Sequence, residues 1–325
     1  MKVLFATYPM AFHTPGGGEV QLRAYEKHLP AHGVDVMLLD QWAPRFLDHD
    51  VVHFFSSIGG SVHFCHFVKQ LGLPLVVSSS LWITESTRHL YPTDEIRAQM
   101  SLADQVVTNS NIESNTLARV FNLPREKFVA VYNGIDELFF NDSTPVLFRQ
   151  TFGIDGCFVL NVGNIEPRKN QLMLVRAIKA FPDVRLVLIG HKRDSKYAEQ
   201  VLFEGGDQVM YLGALSHGEM LLSAYRACEL FCLPSTLETP GLAALEAAAQ
   251  GARLLVTSEG SCAEYFGNRA AYLDPASLES IRNGIGTMLA AGNTDGTAAG
   301  STFRPSLFTW EQTTMVLSNV YHKLI

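Results

Sequence analysis

Short apolar runs bounded by turn residues alternate with segments of helical periodicity from the first residues onward. KVLFAT (Lys2–Thr7), VDVMLLD (Val34–Asp40), DVVHFF (Asp50–Phe55), PLVVSS (Pro74–Ser79), QVVTNS (Gln105–Ser110) and FVAVYNG (Phe128–Gly134) read as strands. They are rich in β-branched and aromatic residues, which suit a pleated, buried surface. Helical patterns at Glu19–His32 and Ser61–Leu71 lie between them, with Gly33 as the stop of the first. Asn141–Gly156 has turn residues at both ends and is expected to contain the linker, after which the pattern restarts. CFVLNVG (Cys157–Gly163), VRLVLIG (Val184–Gly190), VMYLG (Val209–Gly213), LFCLP (Leu230–Pro234), RLLVTS (Arg253–Ser258) and AAYLD (Ala270–Asp274) read as further strands. Helices are expected near Gln171–Ala180, His217–Arg226 and Leu242–Gln250, a flexible loop at Ala290–Thr302, and a last helix at Trp310–Leu324.

Strand–helix alternation of this kind specifies parallel sheets covered by helices on both faces. The expected fold class is therefore α/β, with two Rossmann-like domains, residues 1–145 and 146–305. A chain of 325 residues also exceeds what one hydrophobic core usually organises. Ligands of open α/β sheets bind beyond the carboxyl ends of the strands, so the expected site is a cleft between the two sheets.

Composition narrows the function classes. Hydrophobic residues make up 47% and charged ones 18%, a globular balance. A net charge of −7 argues against a nucleic-acid partner, because phosphate binding needs a basic footprint. It also weakens the case for an anionic membrane surface, while leaving a local peripheral contact open. Five cysteines (Cys65, Cys157, Cys228, Cys232, Cys262) lie in apolar runs and read as buried small hydrophobes of a reduced compartment. Cys228 and Cys232 lack the second pair that a zinc site needs. The opening MKVLFATYPMAF is too short an apolar run for a signal peptide and is interrupted by Pro9. No run approaches the roughly 18 apolar residues of a spanning helix. The cytoplasm is the expected location.

Three segments carry chemistry. HTPGGGEVQL (His13–Leu22) follows the first strand and opens the first helix, where glycines admit a ligand close to free amides that suit a phosphate. A dinucleotide site is an alternative, with Asp40 ending the next strand, although Gln21 occupies the last glycine position of that motif. A tight turn needing positive φ is another. In LNVGNIEPRKNQLMLVRAI (Leu160–Ile178) a strand ends at Gly163, Arg168 and Lys169 follow, and Asn170 is placed to cap the next helix. Two cations at a strand's carboxyl end fit a diphosphate whose charge grows as it leaves, and a solvated basic pair is the alternative. In CLPSTLETPGLAALEAAAQG (Cys232–Gly251) a loop holds Glu238 ahead of an alanine-rich helix that begins near Gly241. The first amides of that helix, at Gly241, Leu242 and Ala243, are unpaired donors. Glu246 in its second turn reads as an acceptor for sugar or ribose hydroxyls, or as a surface glutamate.

The Glu238-x7-Glu246 spacing, NVGNIEPRKN, VTNSNIESNTL, VYNGID and the Gly-Gly-Gly-Glu loop together resemble glycosyltransferase family 4, retaining enzymes of the GT-B fold. The resemblance covers nearly the whole chain. It implies that Glu246 binds ribose hydroxyls, that Glu238 faces the donor sugar, and that Lys169 with Arg168 holds the diphosphate. It places Gly16, Gly17 and Gly18 on the phosphates, backbone amides of Leu242 and Ala243 in the anion site, and Gly213 and Leu215 of YLGALS along the base. The helix 306–325 returns to the first domain, which is the acceptor side, while 146–305 binds the donor. No metal and no cofactor are expected, only the nucleotide-sugar as substrate and UDP as product.

The chain departs from the family pattern at three places. Asn164 stands where the family has Arg, Thr239-Pro240-Gly241 where it has Gly-Phe-Gly, and Ser80 where it has a histidine against the donor sugar. Pro240 has no amide to donate. These departures bear on the identity of the sugar. On the acceptor side His53 and Trp82 are candidates, Trp82 with His89 as a platform for a sugar ring or as core packing. His63 and His66 flank Cys65 and cover a helix face.

The resulting expectation is a retaining transfer of a hexose from a UDP-sugar to a hydroxyl of a glycan or glycoconjugate. A nucleotide-sugar epimerase of the same fold and a non-catalytic nucleotide-sugar binder are the alternatives, with a dehydrogenase last.

Overall fold

The computed structural model describes residues 1–13, 15–57, 61–79, 81–291 and 308–325. Two parallel sheets organise them, one in each of two units, Met1–Gly134 with Phe308–Ile325, and Ile135–Leu307. The first is built from β1 (Lys2–Thr7), β2 (Asp35–Leu38), β3 (Val51–Phe55), β4 (Leu75–Ser78), β5 (Gln105–Thr108) and β6 (Phe128–Ala130). Its spatial order is β2-β1-β3-β4-β5-β6, parallel throughout. Helices α1 (Gly17–His28), α2 (Ser61–Gln70), α3 (Thr93–Leu102) and α4 (Asn111–Phe121) cover it. Every residue of β3 and β4 is buried, as expected for strands covered on both faces. After α1 the chain makes a 3-10 turn at Leu29–His32, which ends on Gly33 in the left-handed conformation at φ 74°.

The second sheet contains β7 (Phe158–Val162), β8 (Arg185–Ile189), β9 (Val209–Tyr211), β10 (Leu230–Leu233), β11 (Leu254–Thr257) and β12 (Ala271–Leu273). Its order is β12-β11-β10-β7-β8-β9, again parallel. Its helices are α5 (Pro145–Phe152), α6 (Gln171–Ile178), α7 (Ser195–Gly205), α8 (Glu219–Ala227), α9 (Leu242–Ala249), α10 (Cys262–Phe266) and α11 (Leu278–Ala290). Half of the stretch Asn141–Gly156, expected to contain the linker, is instead α5. Thr144 accepts from the Val146 amide, Pro145 opens the helix and Gly153 closes it at φ 61°. Phe148 is fully buried and its amide donates to Ser223 Oγ of α8 at 2.9 Å, so the unit begins at Ile135, ahead of the boundary expected after residue 145. Gln250 fixes the segment in between by donating to the carbonyls of Phe139 and Asn141 at 2.7 and 3.0 Å.

The last helix, α12 (Trp310–His322), packs on α1 and the 3-10 turn of the first unit. Thr309 caps it, Thr313 Oγ1 donates to the Tyr132 carbonyl at 2.8 Å, and the Trp310 ring meets Tyr25 edge-on. A Cβ at Gly134 would stand 2.4 Å from the Trp310 nitrogen, so only glycine lets the returning backbone lie against this point. Residues 292–302 of the expected flexible loop lie outside the described residues. No described helix is long and apolar enough to cross a membrane.

The return of α12 also decides the role of His53. This residue lies within β3 and is fully buried, with Nδ1 2.6 Å from Tyr321 Oη and Nε2 2.9 Å from Ser78 Oγ. Its ring stacks on Phe55. His53 is a core histidine joining α12 to the sheet, which corrects its assignment to the acceptor side. Burial pushes its pKa down from 6.5 to about 3. The unfolded chain therefore binds more protons than the folded one between these values, and stability falls as pH drops from about 6.5 towards 3. Urea midpoints measured across this window are expected to decline, and to decline less steeply in His53→Gln. Equal slopes in the two proteins would remove His53 from the acid sensitivity.

Candidate functional site

In the second sheet the chain runs from β7 outward to β9, then returns to place β10 on the other side of β7. The β7–β10 boundary is thus the topological switch point, where loops leaving neighbouring strands diverge and open a crevice. Both chemistry-bearing segments of this unit leave from there. The loop after β7 carries Arg168 and Lys169, and the loop after β10 carries Glu238.

Backbone packing fixes the first loop. Gly190 has φ 152°, and a Cβ on it would fall 2.0 Å from the Gly163 carbonyl oxygen. The loop therefore rests directly on the end of β8. Asn170 does not cap α6 through its side chain. It adopts the left-handed conformation at φ 59°, and its Nδ2 donates to the carbonyls of Pro234 and Pro275 at 3.0 and 2.9 Å. This staple holds the Arg168–Lys169 turn against the ends of β10 and β12.

The two loops meet through charge. Lys169 Nζ lies 2.5 Å from Glu238 Oε1, and Arg168 Nη1 lies 3.8 Å from the same oxygen. Arg168 also donates to the Leu237 carbonyl and pairs with Glu166, which in turn faces Arg193. Glu238 is 5% exposed. Burial pushes its carboxyl pKa up, but Lys169 and then Arg168 more than offset this and hold it below the ordinary range. The group is an ionised acceptor flanked by two cations. Thr239–Pro240 is a cis peptide, and Gly241 then takes φ 84°. A Cβ there would meet Leu233 at 2.6 Å, so glycine is required where α9 begins. The amides of Leu242 and Ala243 in its first turn have no acceptor within the helix.

One turn further, Glu246 is 6% exposed, which excludes the surface-glutamate alternative. Its Oε2 accepts from Tyr225 Oη at 2.7 Å, and its Oε1 lies 3.5 Å from His217 Nε2. Burial raises its pKa, opposed by His217 and by the Tyr225 hydrogen bond, with Asp136 adding to the rise. Tyr225 and His217 were not singled out from sequence. Tyr225 resembles any core aromatic of a helix, and His217, expected at the start of a helix, instead precedes α8 in a loop. Gly213, at φ 74°, accepts from the Gly190 amide at 2.8 Å, which brings the β9 loop with half-buried Leu215 to the same end of the sheet. Asn164 is half-buried, and its carbonyl accepts from Gln171 at 2.9 Å.

In the first unit Gly16 precedes α1 in an extended conformation, and its amide donates to Glu19 at 2.6 Å. None of Gly16, Gly17 and Gly18 has a positive φ, which overturns the tight-turn alternative. A Cβ at Gly17 would meet nothing within 4 Å, so packing does not explain the glycine there. Gln21 is buried, with its Nε2 within hydrogen-bonding distance of Tyr25 Oη and of Oδ1 of Asn109 and Asn133. The segments VTNSN and VYNG are thereby drawn together inside the unit. Glu113 accepts from the Asn109 amide at 2.8 Å and from Ser79 Oγ. Trp82 is half-buried in the loop after β4, between buried Leu81 and Ile83. His63, His66 and His89 are exposed. Ser80 lies outside the described residues.

Two family models match the chain in succession: Glycosyltransferase Family 4 over residues 37–137 and Glycosyl transferases group 1 over residues 148–295. Among curated relatives, D-inositol 3-phosphate glycosyltransferase of Mycolicibacterium smegmatis is 32% identical over 167 residues, 49% of this chain and 38% of the relative. Mannosylfructose-phosphate synthase of Agrobacterium fabrum is 29% identical over 196 residues, 55% of this chain and 43% of the relative. The matched regions thus span less than half of either relative's length. Anabaena HepE, solved in complex with UDP, superposes with TM-score 0.81 at 19% identity and full coverage of both chains. Sucrose-phosphate synthase of Thermosynechococcus elongatus superposes with TM-score 0.80 at 19% identity, covering 100% of this chain and 99% of that one. With a family model on each half and a fold shared from end to end with GT-B structures, the chain belongs to glycosyltransferase family 4.

Proposed function

We propose that this protein transfers a hexose from a UDP-sugar to a hydroxyl of a glycan or glycoconjugate, with retention of anomeric configuration and without metal or cofactor. The observation that carries the reading is the meeting of Lys169 and Glu238 at the switch point of the second sheet, beside the first turn of α9. Arg168, Lys169 and the amides of Leu242 and Ala243 offer positive charge and donors to a diphosphate. Glu238 offers an ionised acceptor to the sugar's hydroxyls, and Glu246 offers its carboxyl oxygens to the ribose. Gly213, Leu215 and Asn164 line the remainder of the donor. The choice of UDP draws on HepE, which was crystallised with UDP and with UDP-glucose.

In the reaction the bond from the sugar's anomeric carbon to the phosphate oxygen breaks and a bond to the acceptor oxygen forms. The acceptor's proton passes to the departing phosphate oxygen, whose charge is met by Lys169 and Arg168. Attack then occurs on the face just vacated. Burial of His53 supports this, since the acceptor-side histidine candidate lies in the core and supplies no base for attack from the opposite face. The test supplies UDP-glucose and a panel of simple glycoside acceptors in EDTA and reads the anomeric proton coupling of the product. An α-glycoside is expected. A β-glycoside would sink retention, and strict dependence on a divalent ion would sink the metal-free mechanism.

A further inference from the structure

Glu246 has one committed and one open oxygen. Oε2 is taken by the buried Tyr225 hydroxyl at 2.7 Å, which fixes the carboxylate plane from the core side. Oε1 faces His217 Nε2 across 3.5 Å, too long for a made hydrogen bond. The two side chains differ in exposure, 8% for Glu246 and 47% for His217, so the imidazole stands on the open side of the carboxylate. Phe139 meets the imidazole edge-on, with ring centroids 5.2 Å apart. An acceptor and an imidazole nitrogen are thus held side by side, 3.5 Å apart, at the exposed edge of the carboxylate. A ligand hydroxyl can donate to Oε1 while its neighbour accepts from Nε2.

We propose that His217 is a specificity-determining residue of the donor site, forming with Glu246 a donor–acceptor clamp for a vicinal cis-diol, the 2′- and 3′-hydroxyls of the nucleotide's ribose. This rests on the donor reading given above, and extends it from one residue to a matched pair. A lone carboxylate binds any hydroxyl that reaches it. A pair fixed at this spacing is satisfied by two adjacent hydroxyls and leaves a polar group unpaired when they are missing, which is how such sites reject deoxy analogues.

The experiment measures UDP and 2′,3′-dideoxy-UDP binding by calorimetry to the wild-type chain, His217→Ala and Glu246→Ala. His217→Ala is expected to lose about tenfold in UDP affinity and to bind the dideoxy nucleotide as the wild type does. Its melting temperature should stay near the wild-type value, because the imidazole is half exposed. A structural role would weaken both nucleotides together, so equal losses overturn the clamp. If Glu246→Ala weakens UDP while His217→Ala does not, the clamp falls and the donor reading stands. If neither substitution affects UDP binding, both fall.

Discussion

Lys169→Ala is expected to lower kcat for sugar transfer by about 10²–10³-fold while donor affinity changes only severalfold, the pattern of an interaction made chiefly in the transition state. The ammonium is held at the switch point by Glu238 at 2.5 Å, on a loop that Asn170 staples to the ends of β10 and β12. Such a cation does not need to reorganise when the phosphate charge grows, and that preorganisation makes it effective. Removing it also leaves Glu238 buried without its nearest partner, a defect that can cost about 3–5 kcal/mol by itself. The companion variant is therefore Lys169→Ala with Glu238→Gln, which removes the stranded charge. Its melting temperature should recover, and its turnover should not. A rise in the donor KM with kcat untouched would reduce Lys169 to a docking residue.

Tyr321→Ala should lower unfolding stability by about 3–5 kcal/mol, the range for deleting a large buried aromatic. Tyr321 is fully buried, and its hydroxyl meets His53 Nδ1 at 2.6 Å. The substitution opens a cavity beneath α12 and leaves a ring nitrogen unpaired in the core of the first sheet. Tyr321→Phe keeps the ring and should cost only about 1 kcal/mol. Urea denaturation of the three proteins distinguishes these outcomes. A Tyr321→Ala loss no larger than that of Tyr321→Phe would mean that α12 contributes little packing.

Much of this architecture could be read from residue patterns, and the failures have particular causes. Strand positions in both units followed from apolar runs between turn residues, because parallel strands buried on both faces leave little else. The same property hid His53: with all five residues of β3 buried, alternation gave no sign of which side chain faced what. Helix α5 was missed because the turn residues at both ends of Asn141–Gly156, Thr144, Pro145 and Gly153 among them, suit a linker as well as a short helix. They are the opening and closing residues of a helix, and only the burial of Phe148 shows this. Asn170 looked like a cap because sequence does not report φ. In the site, the paired charges at 168, 169 and 238 were visible as types and spacings. The partners of Glu246 were not, because Tyr225 and His217 reach it from another helix and its preceding loop. Contacts made across elements have no local signature.

The contact of Gly134 with the backbone of Thr309 and Trp310 means that the chain leaves the first unit and re-enters it at nearly one point. In sequence terms, everything from Ile135 to Leu307 is an insertion into a single host domain, entered after Gly134 and left before Phe308. Such a segment can be exchanged between relatives as one cassette through two splice points, carrying the Lys169–Glu238 pair and α9 with it. The host would keep its own sheet, its His53–Tyr321 bond and its terminal helix. Natural recombination would work under the same rule. A splice that kept Gly134 would preserve the close approach of the backbones, and one that placed a side chain there would push the terminal helix off its seat.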